Sequence, residues 1–300
     1  MPPLLGGLEA GGTKFVCAVG TAPDDLRAEA RLATTTPERT IAEAIEFFAG
    51  QAAKAPLAAL GVASFGPLDL DPRSATFGFI TTTPKPGWQR VDLLTPLRRA
   101  LGIPVVIDTD VNGAALAEHR WGSGRGVGTL VYVTVGTGIG GGALVDGRPV
   151  HGLVHPEMGH VRVPHDRARD PFDGVCPHHG DCWEGLASGP ALAARWGRRP
   201  EALADDHPAW ELEAHYLAVG LANVVLVLSP ERIVLGGGVM ARARLFPAVR
   251  RELASLIGGY LRTPALGEDV ERYLVPPVLG DRAGVLGALA LAGAEHRPRG

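Results

Sequence analysis

Short runs of apolar residues, each closed by glycine, proline or aspartate, recur along the chain. Leu4–Glu9, Phe15–Gly20, Ala28–Thr34, Leu57–Ala63, Val105–Asp108, Thr129–Val135 and Arg232–Leu235 have the length and punctuation of β-strands. Between them the apolar positions take up helical spacing. Pro37–Lys54 carries Ile41, Ile45, Phe48 and Ala52 on one stripe, with Thr36 ahead of a proline at the first helical position. Asn112–Trp121, Pro208–Leu228, Phe246–Gly258 and Gly284–Ala294 obey the same rule. Strands alternating with helices predict an α/β architecture.

The pattern contains an internal echo. A strand, the turn Gly11-Gly12-Thr13 and a second strand near the start return as Thr129–Val135, Gly136-Thr137-Gly138 and Ala143-Leu144-Val145. Two glycine-tipped hairpins predict two similar α/β domains around a cleft. The expected division gives residues 1–112, joined by a C-terminal helix over 283–296, and residues 113–282, with a metal-binding loop at 155–185.

Composition narrows the class. Glycine reaches 41 of 300 residues, yet no Gly-X-Y period is present and 46% hydrophobic content is too high for disorder. The net charge of −3 leaves no basic stripe, so a nucleic-acid partner is not expected. Leu217–Leu228 is the most apolar stretch, and its twelve residues fall short of the ~20 that span a bilayer, so no membrane partner is expected either. With no signal-peptide pattern at the start, the expected location is cytoplasmic. There Cys17, Cys176 and Cys182 should be thiols or metal ligands rather than disulfides, with Cys17 in the core.

Three glycine loops carry candidate chemistry: Glu9-Ala10-Gly11-Gly12-Thr13-Lys14, Gly136-Thr137-Gly138-Ile139-Gly140 and Gly236-Gly237-Gly238. Glycine lets backbone N–H groups converge on an anion with no Cβ in the way, and Thr13 and Thr137 add hydroxyls. Gly136-x-Gly138-x-x-Gly141 also fits the dinucleotide fingerprint, but the stretch from Gly142 to Pro149 reads as a strand and turn instead of the required helix. Lys14 comes after Thr13 rather than before it, so the P-loop pattern is absent.

At the end of the strand Val105–Asp108, Asp110 is placed to take a proton from an attacking hydroxyl, and Asn112 to hold neighbouring sugar hydroxyls. The competing expectation is that one of them merely caps the adjoining helix. Further on, Cys176, His179 and Cys182 give C-x2-H-x2-C, the spacing of a structural zinc site, with His160 the favoured fourth ligand and His178, His155 and His165 as alternatives. Zinc there would fix Glu157, His160 and Glu184 beside one another, as hydroxyl-rich ligands require.

Together these motifs resemble the ROK family (repressors, open reading frames and sugar kinases), and within it the bacterial zinc-containing fructokinase group. The E-x-G-H motif is Glu157–His160, and Ser64-Phe65-Gly66-Pro67 and Thr81–Trp88 look like that group too, although Lys85 and Trp88 would otherwise pass as surface residues. The resemblance implies the duplicated actin-like ATPase (ribonuclease-H-like) fold and phosphoryl transfer from Mg-ATP to a hexose, D-fructose becoming fructose 6-phosphate. It implies ATP contacts at Gly11, Gly12, Thr13, Lys14, Gly136, Thr137, Gly138, Gly236, Gly237 and Gly238, with Glu9 holding magnesium through water. Asp110 would be the base, and Ser64, Gly66, Asn112, Glu157, His160 and Glu184 would meet the sugar. Zinc would be bound by His160, Cys176, His179 and Cys182. A homodimer is implied as well. The other outcomes are a kinase acting mainly on glucose, mannose or N-acetylmannosamine, and a sugar-responsive regulator. Only eight residues precede Glu9, which leaves no room for the helix-turn-helix expected of a regulator.

Overall fold

The computed structural model describes residues 2–242 and 244–295. The chain divides into two compact units, one of Met1–Arg125, Gly147–Pro156 and Val278–Gly300, the other of Gly126–Asp146 and Glu157–Pro277.

The first unit is built on β1 (Leu5–Ala10), β2 (Lys14–Ala22), β3 (Asp25–Ala33), β4 (Ala59–Ser64) and β5 (Val105–Thr109), in the order β3-β2-β1-β4-β5. The two hairpin pairings are antiparallel, and β1–β4 and β4–β5 are parallel. Burial explains the sequence pattern. β4 is buried along its whole length and reads as a continuous apolar run, whereas the edge strand β3 alternates exposed and half-buried positions.

Three helices accompany this sheet: α1 (Pro37–Ala52), α2 (Leu94–Leu101) and α3 (Asp110–Trp121). α1 starts where expected, with Thr36 capping the Arg39 N–H and Pro37 at the first turn. Its buried face runs through Ile41, Ala44 and Phe48, with Ile45 and Ala52 at the margin of the core. α2 is an addition to the expected elements. It is short, and only Leu94 and Leu97 mark its inner side.

The C-terminal helix, Ala283–Glu295, also belongs to the first unit; residue 296, the last of the helix expected there, lies outside the described residues. It lies so close to its neighbours that glycine is required. A Cβ on Gly61 of β4 would fall 1.9 Å from the Ala288 carbonyl oxygen, and one on Gly287 would fall 2.2 Å from the Gly113 carbonyl carbon of α3. That packing holds α3 in the first unit, so the division expected after residue 112 cuts through a helix, and the chain instead leaves the unit after Arg125 and revisits it over 147–156.

The second unit holds β6 (Leu130–Val135), β7 (Ile139–Val145), β8 (Arg232–Gly236) and β9 (Leu274–Val275), ordered β7-β6-β8-β9. β6–β7 is antiparallel, while β8 runs parallel to both β6 and β9. This repeats the β2-β1-β4-β5 arrangement of the first sheet, so the echo in the sequence is a duplicated topology. Its helices include α4 (Trp183–Ala187), α5 (Gly189–Trp196), α6 (Ala209–Leu228) and α7 (Leu245–Ile257). At 20 residues, α6 is long and apolar enough to cross a membrane, a correction to the twelve-residue estimate. It is mostly buried inside this unit, however, and carries Glu213 at 0% exposure, which marks a core helix.

Candidate active site and metal centre

In the first unit, β1 and β2 close over Gly11–Thr13, where the Gly11 N–H donates to the Lys14 carbonyl at 3.0 Å and Thr34 Oγ1 donates to the Gly11 carbonyl at 2.7 Å. Glu9 precedes this turn. Its carboxylate lies against the first turn of the C-terminal helix, so close that a Cβ on Gly284 would be 2.3 Å from Glu9 Cδ. Burial pushes the Glu9 carboxyl above its ordinary range, and Lys14, Arg31 and the Val285 N–H pull it partly back. Glu9 Oε2 is buried and has no hydrogen-bond partner among the described residues.

Asp110 is the first residue of α3. The cap is Thr109, whose Oγ1 accepts from the Asn112 N–H at 3.2 Å, so neither Asp110 nor Asn112 performs the capping role that competed with a catalytic one. Asp110 Oδ1 accepts from the Val111 N–H at 2.8 Å. Asn112 is 1% exposed; its Nδ2 donates to Asp108 at 2.8 Å, while its Oδ1 is buried and has no partner among the described residues.

Ser64 ends β4, fully buried, with Oγ donating to the Phe65 carbonyl at 2.9 Å. Gly66 and Pro67 are joined by a cis peptide bond. The Thr81–Trp88 segment departs from the expectation of a surface loop. Trp88 is 0% exposed, with its ring 5.4 Å from that of Phe15 and 5.6 Å from that of Phe65, and its Nε1 donates to the Thr35 carbonyl at 2.9 Å. The loop so anchored brings Lys85 against the glycine turn, Cδ 3.9 Å from where a Gly12 Cβ would stand.

In the second unit the loop between β6 and β7 is shaped by its own backbone and by one carboxylate. The Gly136 N–H donates to the Gly138 carbonyl at 2.8 Å, and Glu184 Oε2 accepts from the Ile139 N–H at 2.9 Å. Ile139–Val145 is a strand, so the element required by the dinucleotide fingerprint is absent at that point. Gly237 adopts φ +95°, and a Cβ there would sit 2.2 Å from the Val135 carbonyl oxygen, which ties the third glycine loop to the end of β6.

Glu157 leads into the single turn Met158–His160. Gly159 is required in it, because a Cβ would fall 1.8 Å from the Ile139 carbonyl oxygen. His160 Nδ1 faces both thiols, 3.7 Å from Cys176 Sγ and 3.6 Å from Cys182 Sγ, and His179 Nδ1 is 3.6 Å from Cys176 Sγ. The four ligand atoms all lie within 4.8 Å of one another. Tetrahedral zinc, with Zn–S near 2.3 Å and Zn–N near 2.05 Å, would separate sulfur from nitrogen by about 3.6 Å. The cluster has that spacing. Burial, ahead of the neighbouring Cys176 and Glu184, pushes the Cys182 thiol up to about 11, so a cation is what would hold it as thiolate.

The alternative ligands are engaged elsewhere. His155 Nε2 accepts from the Leu68 N–H at 3.1 Å, and His165 links Asp181, at 3.1 Å, to the Asp170 carbonyl, at 2.9 Å. His178 is not in the four-atom cluster. Cys17 is fully buried on β2 and is not a member of the four-atom cluster, with its thiol raised by burial to about 12.

Two sheets that share one strand arrangement, glycine-tipped hairpins and a carboxylate at the head of a helix define the class: an actin-like ATPase fold of the sugar-kinase type. The chain belongs to the ROK family, whose profile matches residues 5–295. It is 49% identical to a fructokinase of Zymomonas mobilis over 96% of either chain. Among solved structures it is similar to a ROK hexokinase from Thermus thermophilus, with a TM-score of 0.79 and 29% identity over 97% of this chain and 98% of that one. It is also similar to a ROK family glucokinase from Streptomyces griseus in complex with glucose and AMPPNP, with a TM-score of 0.74 and 28% identity over 96% of this chain and 99% of that one.

Proposed function

We propose that this chain transfers the γ-phosphoryl group of ATP to the 6-hydroxyl of D-fructose. The observation that carries the choice of sugar is the 49% identity to a chain named fructokinase, against 28% to one named glucokinase. Asp110 is the base: Thr109 supplies the helix cap, and the Asp110 carboxylate at the head of the helix takes the hydroxyl proton as the O–P bond forms. Asn112 offers its buried Oδ1 to a sugar hydroxyl. In the same unit, Ser64 and Gly66 belong to the sugar-binding set, and the Gly11–Lys14 turn receives phosphate.

From the second unit, the Gly136–Gly138 turn also receives phosphate, and Gly236–Gly238 the adenosine side. Glu157, Glu184 and His160 meet the sugar, and because Nδ1 of His160 is turned to the thiols, its Nε2 is the ring nitrogen left for a hydroxyl. The donor set fits two ions. Glu9, with its unpartnered Oε2, would hold through water the magnesium that offsets phosphate charge, and His160, Cys176, His179 and Cys182 would hold structural zinc. The protein is read as a cytoplasmic homodimer without nucleic-acid or membrane partners; a monomer mass by light scattering would overturn the dimer. Incubation with Mg-ATP and D-fructose, with the product then identified by NMR, tests the reaction. A phosphate ester at C6 is expected, and an ester at C1, or none, overturns the assignment.

A further inference from the structure

Asp108 stands at the C-terminal end of β5, two residues before the base, and is 3% exposed. Each of its carboxylate oxygens is committed. Oδ1 accepts from the Thr109 N–H at 2.7 Å and from Asn112 Nδ2 at 2.8 Å, and Oδ2 faces His151 Nε2 at 3.0 Å. His151 comes from the 147–156 segment, whose far end is pinned where His155 accepts from the Leu68 N–H. An ionised carboxylate can only accept hydrogen bonds, so it selects the amide nitrogen of Asn112 and the protonated Nε2 of His151. The amide oxygen of Asn112 must then point the other way, and that is the oxygen left buried without a partner. A buried acceptor kept empty by a fully engaged carboxylate is a site for a hydroxyl donor.

We propose that Asp108 and His151 are positioning residues for the hexose: His151 holds Asp108, Asp108 holds the Asn112 amide, and Asn112 Oδ1 is thereby aimed at a sugar hydroxyl. This deepens the reading of Asn112 as a hexose contact and rests on it. The Asp108 hydrogen bond also draws the His151 imidazole toward its charged form, against the opposing effect of partial burial, which strengthens its hold on the carboxylate. Fixing one amide orientation serves recognition because a freely flipping amide would present a donor as often as an acceptor to the same hydroxyl.

Steady-state constants for fructose and for Mg-ATP, measured on the full chain and its variants, test the chain of contacts. His151→Leu, which removes the donor, should raise the fructose KM about tenfold and leave the ATP KM within about twofold. His151→Gln, whose side chain can still donate, should restore a fructose KM within about twofold of wild type. Asp108→Asn should raise the fructose KM further, since Asn112 can then turn either way; if that variant does not fold, His151→Leu, altered in a half-exposed side chain, still decides. A His151→Leu variant with wild-type fructose KM, or one in which both KM values move together, overturns the proposal. Wild-type protein that phosphorylates no hexose overturns the assigned activity and this inference with it, whereas wild-type turnover beside an unmoved His151→Leu overturns the inference alone.

Discussion

Glu184 Oε2 accepts the Ile139 backbone N–H at 2.9 Å, so a carboxylate assigned to the sugar also shapes the turn assigned to phosphate. Gly138 leaves room for it: a Cβ there would lie 2.5 Å from the same oxygen. Glu184→Ala should therefore raise the KM for ATP as well as for hexose, each by about tenfold. Glu184→Gln keeps an acceptor for Ile139 and should spare the ATP KM. Equal effects of Ala and Gln on ATP would show that the link to the turn is incidental.

Asp110→Asn removes the carboxylate proposed as the base while leaving the helix cap on Thr109. A general base contributes about 10²–10⁴-fold, so kcat should fall by at least about 100-fold. Loss of one carboxylate at a helix N-terminus costs about 0.3–1 kcal/mol, which is a small shift in melting temperature. Thermal melts and zinc content close to wild type beside lost turnover are the expected result. A variant with wild-type kcat would show that another group takes the proton.

Cys176→Ser removes one of the two thiols from the four-atom cluster. Metal analysis of the native protein should give about one zinc per chain. The variant, or wild type treated with a chelator, should lose the metal and melt several degrees lower. Native protein free of zinc, with a melt unchanged by chelation, would remove the metal centre from the account.

Glu213 predicts a pH dependence that has nothing to do with catalysis. It is 0% exposed, neither oxygen has a hydrogen-bond partner among the described residues, and burial raises its carboxyl well above 4.5 despite the charge of Arg195. Above pH 4.5 and below that raised value, the folded chain keeps a proton that the unfolded chain releases. Stability therefore falls as pH rises through this window. Glu213→Gln, neutral throughout, should flatten the decline in melting temperature as pH rises above 4.5. Parallel curves for the two proteins would mean that the carboxyl is ionised in the fold.

Much of the fold and site is legible in the sequence because it is local. Thr36-Pro37 starts α1 by a mechanism confined to one turn, fully buried strands such as Ala59–Ser64 read as continuous apolar runs, and Cys176, His179 and Cys182 meet by short-range spacing. The illegible part depends on contacts far apart in sequence. Trp88 is a lone aromatic in a proline-rich loop, and nothing near it says that Phe15 and Phe65 will enclose it. Gly61, Gly113 and Gly287 read as ordinary glycines, yet they are where strand, helix and C-terminal helix touch backbone to backbone. Asp108 gives no signal of its own beside Asp110, because its partner His151 lies 43 positions away in the numbering.

The rate of ADP formation with fructose, mannose, glucose and N-acetylmannosamine, measured side by side on one preparation with Mg-ATP, tests the central claim most directly. The account predicts the highest kcat/KM for fructose, with little ADP formed when no sugar is present. A higher kcat/KM for glucose, mannose or N-acetylmannosamine, or ADP formation that does not depend on sugar, would contradict it.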